Sequence, residues 1–267
     1  MGELIKLTGI VLSASNIGEY DKRVVILTKE RGKIAAFARG ARRMGSPYTA
    51  ACQSFAYGVF TVFEGKNYNL NGVEIEDYFP EIRENLNLLY RGLYFCEMAD
   101  YFTVEGNDEL EILKLLYVSL NALRKGVMQE QLIQVVFEIK ILAYFGLMME
   151  TSQCACCGRR KELTSAGEEA DGTEHRATPL PRLLTHFQSG QGGVICSVCA
   201  QKLSHVIAIQ ESTLYTLQYI LSQPVTKLYH FKVTSAVLEE LKKVSRDYLQ
   251  THVNHAFKAL EFVTMLE

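Results

Sequence analysis

Long apolar runs and strong net charge are both missing from this 267-residue chain. No run approaches the roughly 20 apolar residues that a membrane-spanning helix needs, so we expect no membrane contact. The N-terminus has Lys6 in a mixed stretch instead of a signal-peptide core, and Lys6 stands where a myristoylation motif requires Ser or Thr. The formal net charge is only −2. These absences predict a soluble intracellular protein in which any nucleic-acid-binding surface is local.

Recognisable signatures of catalysis are also missing. The chain has no Gly-x-Ser-x-Gly elbow, no P-loop and no Gly-x-Gly-x-x-Gly after a strand. A zinc deaminase needs His-x-Glu and Pro-Cys-x-x-Cys, but Gln153 precedes the first cysteine pair. Gly190, Gly192 and Gly193 form a glycine cluster that could shape the approach to the second cysteine pair or cradle a phosphate. We therefore expect a protein that is not an enzyme.

The spacing of apolar residues predicts an α+β multidomain fold. Residues 1–80 are expected to form five strands, near 7–15, 23–28, 33–39, 55–63 and 68–77. A longer connection after the third strand fits a closed β-barrel of the OB type, and an SH3-like barrel fits the periodicity nearly as well. The strand around Phe63 is apolar on both faces, so we expect it to be covered on both sides.

After Pro80 the apolar period becomes helical. Helices are predicted near 86–102, 110–123, 132–143, 209–222 and 233–250. The predicted division is a barrel at 1–80, a first part of a helical domain at 81–150, a cysteine module at 151–204 and a second helical part at 205–267. Residues 164–182 are rich in Ser, Gly, Glu, Asp and Thr, which is typical of a flexible insertion.

The strongest chemical signal is a pair of C-x-x-C motifs. Four of the seven cysteines, Cys154, Cys157, Cys196 and Cys199, can surround one zinc ion. Gly158 favours Cys157 as the second ligand, because a tight turn favours Gly at that point, but Cys156 could substitute. His175 and His186 lie between the pairs and are either ligands or loop residues. Four thiolates leave no open position for water, so the predicted zinc is structural.

A basic segment opens the chain. Residues 1–50 carry nine Lys or Arg and four acids, a local balance of +5. Lys33, Phe37 and Arg39 share one face of a predicted strand, which suits single-stranded nucleic acid if Phe37 stacks on a base and is not part of the barrel core. The candidate phosphate contacts are Lys22, Arg23, Lys33, Arg39, Arg42 and Arg43.

Several motifs together resemble the RecO family across essentially the whole chain. They are Thr8-Gly9-Ile10-Val11-Leu12, Gly18-Glu19-Tyr20-Asp21-Lys22, Leu27 to Ile34, Ala38 to Arg43, Phe137 to Leu142, and Gly192-Gly193-Val194-Ile195-Cys196-Ser197-Val198-Cys199. The span between the two cysteine pairs is longer than is usual in that family.

The resemblance implies a recombination mediator in DNA repair. It implies an N-terminal OB-fold that binds single- and double-stranded DNA and a helical domain with a cysteine zinc module. It further implies annealing of complementary strands, cooperation with RecR in loading RecA, and binding to the acidic tail of single-strand-binding protein in the bacterial cytoplasm at the nucleoid. Some family members lack the cysteines, so zinc is not expected to perform the annealing.

Two other functions remain open from the residues themselves. One is a zinc-ribbon accessory factor for transcription or translation, and the other is a zinc-dependent nucleic-acid enzyme. Annealing of complementary oligonucleotides without nucleotide or added metal would separate the recombination mediator from both.

Overall fold

The structure is a computed structural model that describes residues 2–159 and 184–266. The chain divides into two compact units, which are described separately. The first consists of Met1–Phe145, Pro224–His230 and His255–Glu267, and the second of Gly146–Gln223 and Phe231–Asn254. The predicted insertion at 164–182 lies outside the described residues.

A closed five-stranded barrel begins the first unit. Its strands are β1 (Glu3–Ile17), β2 (Asp21–Thr28), β3 (Gly32–Ala38), β4 (Tyr57–Glu64) and β5 (Tyr68–Asp77). A short helix, α1 (Tyr48–Ala51), lies between β3 and β4. The strand order is β1-β2-β3-β5-β4, and β4 pairs with β1 to close the ring. Neighbours are antiparallel except β3 and β5, which pair in parallel. The five strands predicted from the sequence are thus confirmed.

Alternation along β3 and β4, together with consecutive buried residues in β1 and β2, builds the barrel core. On β4, for example, Phe60 and Val62 are fully buried and pack with Val24 and Ile34 of the neighbouring strands. The expectation that β4 is covered on both faces is wrong for Phe63, because 39% of its surface is exposed.

Five α-helices and a short 3-10 helix (Val225–Lys227) complete the first unit within the described residues. The α-helices are α2 (Pro80–Glu84), α3 (Leu86–Phe102), α4 (Leu110–Lys125), α5 (Glu130–Tyr144) and, after the second unit, α9 (Lys258–Leu266). The Asn85 side chain caps α3 by accepting from the Asn87 and Leu88 amides. Phe95 and Phe137 stack at 4.2 Å between ring centres and join α3 to α5. An Arg124–Asp77 ion pair of 2.6 Å connects α4 to the end of β5.

The second unit combines a small sheet with helices. Its described elements are β6 (Leu184–Gln188), a 3-10 helix (Ser189–Gln191), β7 (Gly193–Cys196), α6 (Ser197–Ala200), β8 (Ile207–Ala208), α7 (Glu211–Ser222) and α8 (Ser235–His252). The antiparallel sheet has the order β7-β6-β8. The two helices predicted here are confirmed within two residues at each end, whereas this sheet and α9 were not predicted from the sequence.

Candidate metal centre and nucleic-acid interface

Four cysteines come together in the second unit: Cys154, Cys157, Cys196 and Cys199. Their sulfur atoms all lie within 4.8 Å of one another, and Cys157 Sγ is 4.0 Å from Cys196 Sγ. A tetrahedral zinc with Zn–S bonds of about 2.3 Å would separate its sulfurs by about 3.8 Å. The cluster therefore has nearly the size of a metal-bound set and could hold a metal ion.

The backbone around the cysteines explains how they meet. Gly158 adopts a positive φ of 71°, and its N–H donates to the Cys154 carbonyl at 2.8 Å, which closes the first turn. Cys196 ends β7, and Cys199 lies in the short helix α6 that follows. The Cys196 N–H donates to Cys154 Sγ at 3.3 Å, so the second pair supports the thiolate of the first.

The ionisation of the cluster is uneven. Burial disfavours the Cys154 thiolate, but amides of Cys196, Cys157 and Cys156 donate to its sulfur and lower its pKa to about 7. Burial raises the pKa of Cys199, and hydrogen bonds with the neighbouring thiols raise it further. A bound cation would remove this conflict, because it compensates the negative charge of the thiolates. The donor set therefore fits a metal.

The two alternative ligands that the structure describes, Cys156 and His186, are not part of this cluster. Cys156 and Cys157 are both exposed, but among residues 2–159 and 184–266 the grouped metal-binding side chains are the four cysteines alone. The His186 Nδ1 atom is 2.9 Å from Thr185 Oγ1. His175 lies outside the described residues.

Lys33 differs from the other predicted DNA contacts. Its ammonium lies 2.9 Å from the Asp100 carboxylate and also donates to the Asp100 carbonyl. Only 23% of the Lys33 side chain is exposed. Lys33 therefore connects β3 to α3, and its charge is already balanced.

The side chains of the other five predicted cations make fewer contacts with the protein than the side chain of Lys33 does. The Lys22 ammonium donates to the Cys52 carbonyl at 3.3 Å, and Arg23 is exposed on β2. Arg42 donates to the Gly18 carbonyl at 3.2 Å, and the Arg43 guanidinium lies 5.2 Å from the centre of the Tyr20 ring. In the part of the chain that the structure describes, none of the five forms an ion pair.

A groove on the outer surface of the barrel contains the remaining cation. Arg39 and Phe37 line it together with Phe63 and the β4–β5 turn. Its lining consists of Asp21, Phe37, Arg39, Phe63, Gly65, Lys66, Asn67 and Asn69. Phe37 is only partly buried and does not belong to the core cluster. The structure thus favours the surface role of Phe37 over the core role.

Two family models together match most of this chain. The profile described as Recombination protein O N terminal matches residues 1–79, and Recombination protein O C terminal matches residues 83–261. The chain belongs to the RecO family. The family expectation drawn from the motifs is therefore confirmed.

Relatives of this RecO-family chain match it over nearly its full length. The DNA repair protein RecO of Alkaliphilus metalliredigens is 32% identical over 260 residues, which cover 97% of the chain and 98% of the relative. Proteins of the same name from Acetivibrio thermocellus and Desulforamulus reducens are 29% and 28% identical and are matched over 97% and 95% of their length.

Sequence patterns alone do not reveal the part of the groove that β4 and β5 contribute in this RecO-family barrel. Phe63, Lys66, Asn67 and Asn69 all line the groove, yet only one of them is charged. The one available signal was an apolar residue on the outward face of β4, just before Gly65-Lys66. That signal has meaning only once the pairing of β3 with β5 is known.

No helix in the described part of this RecO-family chain combines the length and the apolar character that crossing a bilayer requires.

Proposed function

We propose that this chain is a DNA repair protein that binds DNA on the cationic surface of its barrel and anneals complementary single strands. Annealing brings two polyanions together, and a cationic surface lowers their repulsion. No covalent chemistry is required, so the protein acts as a mediator and not as an enzyme.

The cations of β2, β3 and the following loop are the observation that carries this proposal. Arg39, Arg42 and Arg43 lie within five residues of one another, and no acidic side chain in the described chain forms an ion pair with them. Exposed cations without an acidic partner are suited to phosphate contact. Lys22 and Arg23 extend this set, while Lys33 is the candidate least available to DNA.

We assign the barrel to the OB type. The closed order β1-β2-β3-β5-β4, the parallel pairing of β3 with β5 and the helix between β3 and β4 support this assignment. In OB-folds, the face of the second and third strands and the adjoining loops bind oligonucleotides. The groove and the cations lie on the corresponding strands of this barrel.

We assign the metal to one structural zinc per chain, held by Cys154, Cys157, Cys196 and Cys199. Four thiolates are a typical donor set for zinc and leave no open coordination position. When bound, zinc would cross-link the two cysteine pairs and stabilise the second unit.

The resemblance to the family further supports cooperation with RecR in loading RecA, binding to the tail of single-strand-binding protein, and a cytoplasmic location.

The test is a salt titration of oligonucleotide binding by an Arg39→Ala/Arg42→Ala/Arg43→Ala variant. Each lost phosphate contact should reduce the log–log salt slope by roughly 0.7 for a single strand. Losses should be similar for all sequences, because phosphate contacts carry no base information. Annealing of complementary oligonucleotides, without nucleotide or added metal, should slow in parallel.

A folded variant with unchanged slope and annealing would refute the proposal. Circular dichroism is the folding control, since exposed charges contribute little to stability. A Lys202→Ala/Lys232→Ala/Lys243→Ala variant removes three exposed cations from the second unit; it is the charge-matched control and should leave the salt slope unchanged.

A further inference from the structure

The register of the barrel sheet aligns four side chains on its outer surface. Phe37 pairs with Arg23 of β2 on one side and with Asn69 of β5 on the other. Asn69 pairs in turn with Phe63 of β4. Paired residues lie on the same face of a sheet, so the order across the barrel is Arg23, Phe37, Asn69, Phe63.

Both rings of this row are accessible to a ligand. Phe63 is 39% exposed, and Phe37 is partly exposed, while their neighbours Ala36 and Val62 are fully buried in the core. Two phenylalanines in one groove are a stacking surface for planar rings. Arg39 and Lys66 stand beside them and can contact the backbone phosphates of the same ligand.

The spacing of the rings indicates which form of DNA fits. Phe37 and Phe63 are separated by one strand, so roughly 10 Å lies between their backbones. Successive bases of a duplex are about 3.4 Å apart and already stack on each other. A strand that places bases on both rings must therefore be unstacked and unpaired.

The polar side chains of the groove are compatible with unpaired bases. Asn67 and Asn69 offer amide groups, and the Asn69 amide nitrogen donates to the Asn67 carbonyl at 3.3 Å. Asp21 is the one acid of the lining, and its carboxylate accepts from the Gly40 N–H at 2.7 Å. The negative charge of Asp21 repels a phosphate, so this part of the groove favours a base of the bound DNA over its sugar–phosphate backbone.

Arg42 and Arg43 lie outside the groove lining and differ from it in chemistry. Arg42 is held by the Gly18 carbonyl, and Arg43 lies over Tyr20. These side chains present charge and can contact the phosphates of a single strand or of a duplex alike.

We propose that Phe37 and Phe63 form a base-stacking site that accepts only unpaired DNA, while Arg42 and Arg43 bind single strands and duplexes without distinction. This inference rests on the proposed DNA-binding function. It assigns the preference for an unpaired strand to the groove, and it brings β4 and the β4–β5 turn into the binding surface.

The experiment compares a Phe37→Leu/Phe63→Leu variant with an Arg42→Gln/Arg43→Gln variant. Fluorescence anisotropy gives Kd for an oligothymidylate of about 15 nucleotides, within the site sizes of such barrels, and for a duplex of the same length. The leucine variant should lose roughly 5- to 150-fold in single-strand affinity per lost ring and keep its duplex affinity. The glutamine variant should lose affinity for both.

Controls keep structural damage apart from lost stacking. Phe37→Tyr/Phe63→Tyr retains both rings and should restore single-strand affinity. Tyr215→Leu removes a ring that is 68% exposed on α7 and should change neither Kd. If the double leucine variant fails the circular dichroism control, Phe63→Leu alone provides the comparison. A 2-aminopurine base in the oligonucleotide should change its emission on binding the parent protein but not the leucine variant.

Equal losses of the leucine variant on both DNA forms, or no loss at all, would overturn the inference. Either result could occur while the arginine variants still lose binding, in which case the proposed function stands and only the groove assignment fails. If the arginine variants also bind normally, the proposed function itself fails.

Discussion

The cysteine cluster and the barrel groove obtain their side chains in opposite ways. The cluster consists of two pairs of cysteines, and each pair lies within four consecutive residues and is shaped by a single turn. The groove takes its rings from β3 and β4, which are brought together only because β5 pairs with both. The first site thus depends on local backbone geometry, and the second depends on correct pairing around an entire barrel.

Removing the metal should give the largest effect of any change considered for either site. Apparent binding free energies of structural zinc are about 10–16 kcal/mol in small modules and contribute directly to folding. Cys154→Ser should therefore lose metal and unfold the second unit, as measured by metal analysis and thermal melting. Protein purified without chelator should contain close to one zinc per chain.

Cys156→Ser is the matched control, because Cys156 is exposed and outside the cluster. It should retain both metal and melting temperature. Full metal content in Cys154→Ser, or its loss in Cys156→Ser, would overturn the ligand assignment.

The difference between the sites also explains what the sequence could predict. The grouping of the four cysteines was predictable because C-x-x-C spacing has few other interpretations, and Gly158 distinguished Cys157 from Cys156. Strand positions were predictable because β-branched and aromatic residues are concentrated in the five segments and glycines separate them. Lys33 carries the same charge as the other candidates, and only the position of Asp100 on α3 shows that it is paired. Phe63 could not be interpreted without the strand order, since an apolar residue on β4 suggests a second covered face.

A substitution in the glycine cluster tests how tightly the backbone near the cysteines is packed. A Cβ atom on Gly193 would lie 2.2 Å from the Glu150 carbonyl oxygen, whereas on Gly190 the nearest atom is the flexible Gln188 side chain at 3.3 Å. Gly193→Ala should cost about 1–3 kcal/mol through overpacking, and Gly190→Ala much less, in urea unfolding. Equal tolerance of both would count against a packing role. A phosphate-cradling role would instead predict that both variants lose anion binding.

A smaller effect on stability is expected from breaking the Lys33–Asp100 ion pair. This change tests whether Lys33 has a structural role while the other barrel cations bind DNA. Lys33→Met should lower the unfolding free energy by about 1 kcal/mol or less, because the pair is partly exposed. Arg39→Met should leave stability unchanged and weaken DNA binding. A double-mutant cycle with Asp100→Asn isolates the pair. If the coupling energy is near zero and Lys33→Met weakens DNA binding as much as Arg39→Met does, Lys33 is a phosphate contact and not a structural residue.

Thiol labelling should leave stability unaltered and report only accessibility. Cys52 is buried, and burial raises its pKa to about 11, so its thiolate is scarce at neutral pH. Cys96 is buried and its pKa is raised for the same main reason. A bound metal would protect the four cluster thiolates, the exposed Cys157 included. Brief alkylation of the metal-loaded protein should therefore modify Cys156 alone, as read by mass spectrometry. Chelation should add the four cluster cysteines while Cys52 and Cys96 stay unmodified; early modification of either would contradict their burial.

The parallel pairing of β3 with β5 has a consequence for the kinetics of the barrel. Only two residue pairs, Ala36 with Tyr68 and Phe37 with Asn69, join these strands, whereas β1 and β2 share eight. The pairing of β3 with β5, which we call the seam, is therefore a short junction in the closed barrel. Amide protons of residues beside the seam should exchange with solvent before those of β1 and β2. Phe37 and Asn69 belong to both the seam and the groove. A DNA strand bound across Phe37 and Asn69 would stabilise the pairing of β3 with β5. The resulting slowing of amide exchange in these two strands would measure how strongly DNA binding is coupled to closure of the barrel.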